Sequence, residues 1–279
     1  MKKIVAAFDG LKFSKSSMEY ASLLAKKKGD HLVGVFLEDF TYHSYKIYEL
    51  VDKEGISPEK LKAYEEKDAE TRANAVKTFE TACRNKKIDF SVRADPNIAI
   101  RELLRETIYC DLLVIDAHET LTHYNEPAPS RFMKDLLSET QSPVFVVPSE
   151  FKPIEKYILL YDGGPTSVYA IKMFDYLFSG LKDVPIEVLH IREGEQPLFE
   201  ADKKLIKEFL KQHFPESKFT VLKGPAETAI ISHLKKIKEN ALVVLGAYRR
   251  GTVSRWFRES MADTLLQNLN LPLFIAHNK

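Results

Sequence analysis

Short apolar runs alternate with longer amphipathic segments along the whole chain. In the first half, runs rich in Val, Ile, Leu and Phe predict strands at Ile4–Phe8, His31–Leu37, Phe90–Arg93, Leu112–Ile115 and Val144–Val147. Segments with helical spacing predict helices at Ser16–Lys27, Ala69–Cys83, Ile98–Thr107 and Phe132–Thr140. Near-continuous apolar strands that alternate with helices are typical of a parallel sheet covered on both faces.

The second half repeats this pattern in the same order. It predicts strands at Tyr157–Tyr161, Ile186–Ile191, Phe219–Leu222, Leu242–Leu245 and Leu273–Ala276. It predicts helices at Ser167–Ser179, Asp202–His213, Ala226–Lys238 and Ser260–Asn268. Residues 2–10 match 156–163, residues 111–116 match 241–246, and residues 142–147 match 271–276. The chain is therefore interpreted as two copies of one α/β unit.

The two copies differ by an insertion. Asp9 and Asp162 are 153 positions apart, whereas Pro143 and Pro272 are 129 apart, so the first copy carries about 24 more residues. We place them around residues 40–70 as a helical insertion. The predicted fold is α/β, two doubly wound parallel five-stranded sheets of Rossmann-like (adenine nucleotide alpha hydrolase-like) type in tandem. The predicted domains are 1–149 and 154–279.

Composition narrows the class of protein. A hydrophobic content of 44% is typical of a globular protein. The 41 basic and 40 acidic residues nearly cancel, so the protein has no general electrostatic attraction for polyanions. We therefore expect neither nucleic acid nor a membrane as a partner. An N-terminal apolar run of five residues is too short for a signal-peptide core, and two cysteines match no metal or redox motif, so a cytoplasmic location is expected.

Ligands of open parallel sheets bind at the carboxyl ends of strands, where the strand order reverses. In the second half this rule selects Asp162, Gly163, Ile191 and Gly224, and the loop that begins at Gly246. That loop contains Arg249, Arg250, Gly251, Arg255 and Arg258 and runs into a helix starting near Ser260 and Met261. Arginines beside a helix N-terminus suit phosphate binding. The open alternative is a solvated or subunit-contacting arginine surface with Trp256 and Phe257 as packing anchors.

A strand ending in Asp, two similar halves and a glycine loop after the fourth strand resemble the universal stress protein family. ATP-binding members carry G-x-x-G, nine residues, then G followed by Ser or Thr; here Gly246 and Ser260 match, while Arg249 and Glu259 replace glycines. The resemblance implies that Asp162 and Ile191 hold the nucleoside. It also implies that an adenine nucleotide such as ATP, with Mg²⁺, has its phosphates surrounded by Gly246, Arg249, Arg250, Gly251, Ser260 and Met261.

The first half departs further from that motif. Its aligned loop reads Asp116-Ala-His-Glu119, nine residues, then Pro129-Ser130, without a glycine. Two carboxylates add negative charge where phosphates are expected, and Pro129 lacks an N–H donor. Of the expected site, Asp9 and Ser130 persist. We expect this half to have lost the nucleotide site and to be structural.

The expected function is a non-catalytic stress-response or regulatory protein with one degenerate nucleotide site in the second half. Alternatives that stay open are a ligand-free protein–protein interaction module and a weak ATP hydrolase; we identify no catalytic residue. Two further hypotheses are less favoured. One is a zinc site formed by Asp116, His118, Glu119 and His123, and the other is binding of a nucleic-acid strand by the arginine loop.

For assembly, family likeness implies that Val144–Val147 pairs with Leu273–Ala276 inside one chain, as an intramolecular pseudo-dimer. A homodimer and an unknown protein partner stay open. The tyrosines of Tyr42–Tyr48 are interpreted as a cover for the sheet or a partner surface.

Overall fold

The computed structural model describes residues 1–38, 43–52, 55–94, 98–122, 126–179, 183–192, 200–247 and 260–277. The strands are β1 (Lys3–Asp9), β2 (His31–Leu37), β3 (Val51–Asp52), β4 (Gly55–Ile56), β5 (Phe90–Arg93), β6 (Leu112–Asp116), β7 (Val144–Val147), β8 (Lys156–Tyr161), β9 (Ile186–Arg192), β10 (Lys218–Lys223), β11 (Ala241–Gly246) and β12 (Leu273–Ala276). The helices are α1 (Lys15–Lys28), α2 (Ile47–Leu50), α3 (Pro58–Lys86), α4 (Ala99–Ile108), α5 (Arg131–Glu139), α6 (Pro165–Phe178), α7 (Glu200–His213), α8 (Ala226–Leu234) and α9 (Met261–Asn268).

Ten strands form one sheet in the order β10-β9-β8-β11-β12-β7-β6-β1-β2-β5. Strand order reverses between β1 and β6 and again between β8 and β11, which are the two switch points of a doubly wound fold. Every neighbouring pair in this sheet is parallel except β7 with β12. The predicted α/β fold is confirmed, and its two five-stranded parts join as one sheet.

The junction of the two parts is the antiparallel pairing of β7 with β12. Phe145 lies opposite Phe274, with Val146 opposite Leu273 and Val144 opposite Ile275. This is the pairing expected from the resemblance. Because β7 and β12 run in opposite directions, the parallel strands of the two halves point in opposite directions. Their carboxyl ends therefore lie on opposite sides of the sheet along the strand axis.

Helices cover both faces of the sheet. An apolar cluster with residues of α1, α3, α6 and α7 fills one face, and a second cluster with residues of α4, α5, α8 and α9 fills the other. Both clusters continue across the junction. Phe145 of β7, for example, packs edge-on against Phe178 of α6 at a ring distance of 5.6 Å.

The segment that connects the halves is held by side chains from both of them. The hydroxyl of Tyr20 donates to the carbonyl of Lys152 at 2.8 Å. The amide of Asn240 donates to the carbonyls of Lys152 at 2.8 Å and Pro153 at 3.0 Å. These bonds hold residues 152–153 against both halves of the chain.

Two predicted helices differ from the observed ones by more than two residues at one or both ends. Helix α3 covers Ala69–Cys83 but begins eleven residues earlier, at Pro58, where Ser57 caps it by accepting from the N–H of Lys60. A Ser-Pro start is a helix signal that the apolar periodicity did not include. Helix α8 ends at Leu234 because the next residues form tighter turns, such as Ile237 N–H to the Leu234 carbonyl at 3.1 Å.

The insertion in the first half is partly helical and partly a hairpin. Helix α2 and the two-stranded pair β3–β4 precede the first turns of α3. The ring of Tyr45 is buried and lies 5.2 Å from that of Tyr64 on α3, which favours the covering interpretation at this position. Tyr42 lies outside the described residues.

Two further sequence expectations concern cysteines and membranes. Cys83 and Cys110 are free, and burial raises the pKa of the Cys83 thiol to about 11, which disfavours its reactive thiolate. Over the described ranges, the structure contains no helix with the length and apolar character to cross a bilayer.

A core substitution at the junction tests whether the two halves unfold together. Phe274 is fully buried and contacts Phe174 and Phe178, so Phe274→Ala is expected to lower the free energy of unfolding by about 3–5 kcal/mol. We expect one cooperative transition in urea for both proteins. Tyr109→Ala, an exposed aromatic, is the control and should cost less than about 0.5 kcal/mol. Two separable transitions, with Phe274→Ala moving only one, would contradict a continuous core.

Candidate functional site

A cavity of about 360 Å³ opens at the switch point of the second half, beside the carboxyl ends of β8, β9 and β11. Four of the residues selected from the sequence line it: Asp162, Ile191, Gly246 and Met261. The remaining lining is mostly apolar and comes from Leu160, Tyr161, Ser167, Leu189, Ala226, Ile230 and Leu245. A largely apolar pocket with a few polar groups is typical of small-molecule sites.

The carboxylate of Asp162 is the main polar group of this cavity. Its Oδ1 accepts from the N–H of Gly164 at 2.7 Å and from the hydroxyl of Ser167 at 2.6 Å. These two bonds fix its orientation at the entrance to α6. A carboxylate held in this way is suited to accept hydrogen bonds from ligand hydroxyl groups.

Gly246 is required by packing as well as by position. A Cβ atom at this residue would lie 2.6 Å from the backbone oxygen of Thr166, at the start of α6. Only glycine therefore lets α6 approach β11 this closely. The same close approach places Ser167 and Asp162 beside the end of β11.

Gly163 and Gly224 lie outside the lining of this cavity. Gly163 has φ +83 and faces a neighbouring cavity between α6 and α7, whereas Gly224 has φ +117 in the turn before α8. The N–H of Gly224 donates to the Arg192 carbonyl at 3.2 Å. Both positions need a left-handed backbone, which glycine adopts without strain.

Helix α9 begins at the rim of the cavity. Ser260 caps it by accepting from the N–H of Ala262 at 3.3 Å, and its own N–H donates to Asp263 at 3.3 Å. Met261 lines the cavity but Ser260 does not. Asp263 therefore supplies negative charge to the first turn, where a phosphate was expected to bind.

Arg249, Arg250 and Gly251 lie outside the described residues, as does Glu259. Their role beside phosphates stays a prediction.

Sequence reasoning missed the lining residues from helix starts, above all Ser167. It follows Asp162 by five positions, a spacing that places its hydroxyl in the first turn of α6. Ser167 was interpreted as the beginning of a helix, and its hydroxyl carried no separate signal.

At the corresponding place in the first half, side chains of the chain itself occupy the strand ends. Asp9 is buried and accepts from the N–H of Leu11 at 2.7 Å. Asp116 takes the position of Gly246 and accepts from the hydroxyl of Ser14 at 2.8 Å and from the N–H of His118 at 2.9 Å. Among the described residues, buried and hydrogen-bonded carboxylates therefore occupy these strand ends.

A third carboxyl group, that of Glu119, is buried next to these two. Burial, together with the negative charges of Asp9 and Asp116, raises the pKa of Glu119 to about 7. The N–H groups of Thr120 at 3.0 Å and Leu121 at 3.3 Å donate to it and partly oppose this shift. Three carboxyl groups at one place disfavour an anionic ligand there.

The rival zinc site has limited support. Among the residues that the structure describes, no group of three or more His, Cys, Asp or Glu side chains is arranged to hold a metal ion. His118 instead contacts Asp116 at 3.5 Å and Ser149 at 3.2 Å. His123 lies outside the described residues.

Two switch points in one mostly parallel sheet define a Rossmann-like α/β fold. The fold is shared with a universal stress protein from Archaeoglobus fulgidus DSM 4304, at TM-score 0.71 and 13% identity over 99% of this chain and 98% of that one. A protein from Pseudomonas aeruginosa PAO1 whose function is unknown matches at TM-score 0.62 and 13% identity, over 99% and 92% of the two chains.

The chain thus shares the fold of a universal stress protein, as the resemblance implied, and its sheet has one switch point in each half. No protein-family model and no curated protein matches the sequence.

Replacing Gly246 tests the packing of α6 on β11. Gly246→Ala is expected to lower the free energy of unfolding by about 1–3 kcal/mol, because the new methyl group meets backbone that cannot move aside. Gly10→Ala is the control, since its Cβ would meet the flexible side chain of Arg72 at 3.1 Å. Equal losses in urea denaturation for the two variants would contradict the close approach.

The raised pKa of Glu119 predicts a pH dependence of stability. Between its usual value of 4.5 and about 7, the folded state holds a proton that the unfolded state has lost, so this group lowers stability as pH rises through that window. In the wild type, this group lowers the free energy of unfolding by up to about 1.4 kcal/mol for each unit by which the pH rises in that window, and Glu119→Gln should remove this loss.

Urea midpoints of both proteins at about pH 5 and about pH 8 measure this effect. The stability of Glu119→Gln relative to that of the wild type should be greater at the higher pH. Glu66→Gln, at an exposed position of α3, is the control and should show no such difference. A pH-independent difference for Glu119→Gln would contradict a protonated, buried carboxyl group.

Proposed function

We propose that this protein is a non-catalytic stress-response or regulatory protein that binds one adenine nucleotide, in its second half alone. The observation that carries the proposal is the cavity of about 360 Å³ lined by Asp162, Ile191, Gly246 and Met261. The likeness in fold to a universal stress protein supports the stress-response class.

The residues present fit the nucleoside part of such a ligand. Asp162, oriented by Gly164 and Ser167, would accept hydrogen bonds from ribose hydroxyls. Ile191 and Ile230 supply an apolar surface on which a planar base can lie. The cavity volume is within the range of about 300–1,000 Å³ that is usual for small-molecule sites.

The fit is weaker for the phosphate part. The N-terminus of α9 favours an anion, but Asp263 already accepts from the N–H of Ser260. Any phosphate contact and any Mg²⁺ would then depend on the residues around Arg249 and Arg250. We therefore expect adenosine and AMP to keep most of the affinity of ATP.

The contrast with the first half supports one site per chain. Asp116 and Glu119 occupy the strand ends where the second half is open, and the Asp116 carboxylate adds negative charge beside Asp9. A nucleotide phosphate there would meet three carboxyl groups.

Isothermal calorimetry with ATP and Mg²⁺ on the full chain tests the proposal. We expect binding at one site per chain and a loss of about tenfold or more in Asp162→Ala, which removes the ribose acceptor. The matched control is Asp9→Asn at the equivalent position of the first half, which should bind as the wild type does. Circular dichroism confirms that each variant is folded.

Three outcomes would contradict the proposal. Absence of heat with ATP, AMP and adenosine would favour a ligand-free interaction module. Two sites per chain would show that the first half binds as well. Release of phosphate at a steady rate, lost in Asp162→Ala, would show a hydrolase.

A further inference from the structure

A further cavity, of about 420 Å³, lies between α7 and the outermost strand β10, on the face of the sheet opposite the candidate nucleotide site. Its walls are Ile206 and Leu210 of α7, Phe214 just after that helix, and Phe219 and Val221 of β10. We refer to these residues as the α7–β10 groove. Nothing in the nucleotide proposal uses it.

The groove is open because α7 does not cover β10. Phe219 and Val221 are 40% and 50% exposed, although apolar side chains on the inner face of an outer strand are normally covered by the crossing helix. Both point toward α7, since they line the same cavity as Ile206 and Leu210.

In the first half, the corresponding outer strand is covered by its helix. Its outer strand β5 contains Phe90-Ser91-Val92, the counterpart of Phe219-Thr220-Val221 in β10. Phe90 is covered by Phe79 of α3 at a ring distance of 5.9 Å and by the guanidinium of Arg84 at 5.9 Å. The open groove is therefore a property of the second half and not of the fold.

The helical side of the groove is cationic. Lys203, Lys207 and Lys211 line it at successive spacings of four residues, so they share one face of α7. Three ammonium groups on one side of the cavity attract an anionic group. The acid Glu208 on the same helix does not line the cavity and pairs with Lys204 at 4.0 Å.

We propose that the α7–β10 groove binds a single-chain anionic amphiphile, a fatty acid. The alkyl chain lies along Phe219, Val221 and Leu210, and the carboxylate is held by the lysine row. An apolar wall with cations on one side only complements a ligand with an apolar tail and one anionic head. The cavity volume is in the small-molecule range of about 300–1,000 Å³.

Calorimetry with dodecanoate on the full chain, below the concentration at which it forms micelles, tests this inference. We expect saturable binding at one site. The double variant Lys207→Glu/Lys211→Glu should bind roughly tenfold more weakly or worse, and Lys207→Arg/Lys211→Arg should keep the affinity. Lys67→Glu/Lys77→Glu, at exposed positions of α3, changes the net charge equally and should leave binding unchanged.

A second pair of measurements separates the tail from the head. Val221→Asp places a carboxylate in the apolar wall at a half-exposed position and should abolish binding without unfolding the chain. Dodecanol has the same tail without the charge and should bind more weakly than dodecanoate to the wild type. ATP should not displace dodecanoate, because the two cavities lie on opposite faces of the sheet.

The inference is overturned if dodecanoate does not bind, or if it binds the wild type and Lys207→Glu/Lys211→Glu equally. It is also overturned if sedimentation shows a dimer that Val221→Asp dissociates, because a second copy of the chain would then cover the groove.

Discussion

The antiparallel pairing of β7 with β12 is the contact on which the rest of the architecture depends. Without it, each half would expose a buried apolar strand with unpaired backbone groups, a known route to aggregation. The pairing removes both edges and joins the two apolar cores across Phe145 and Phe274. It also places the two switch points at opposite ends of the strands, and the described residues that line the cavity at the second switch point all belong to the second half.

The two joined halves differ at their switch points. Gly246 lines an open cavity in the second half, whereas Asp116 at the corresponding position of the first half is buried and accepts a hydrogen bond from Ser14. The covering helices differ in the same sense, because α3 of the first half closes over Phe90 whereas α7 of the second half leaves Phe219 exposed. Both cavities to which we propose that ligands bind therefore lie in the second half.

Apolar periodicity predicted the strands well because the buried strands of a parallel sheet are apolar along their whole length. The Asp162 and Gly246 positions followed from the topology rule alone. The remaining features could not be predicted because they depend on how side chains pack in the folded chain. The hydrogen bond from Ser167 to Asp162, the raised pKa of Glu119 and the exposure of Val221 all require the packed structure. The early start of α3 was missed because its first turns have few buried residues.

The central claim is that the two halves have one fold but a single open nucleotide site. Mapping of amide chemical shifts in the ¹⁵N-labelled full chain during titration with AMP tests it most directly, since every residue reports at once. We expect saturable shifts at Ile191, Gly246 and Met261 and none at Asp9 or Glu119. Shifts centred on Asp9 and Glu119, or no shifts in either half, would contradict it.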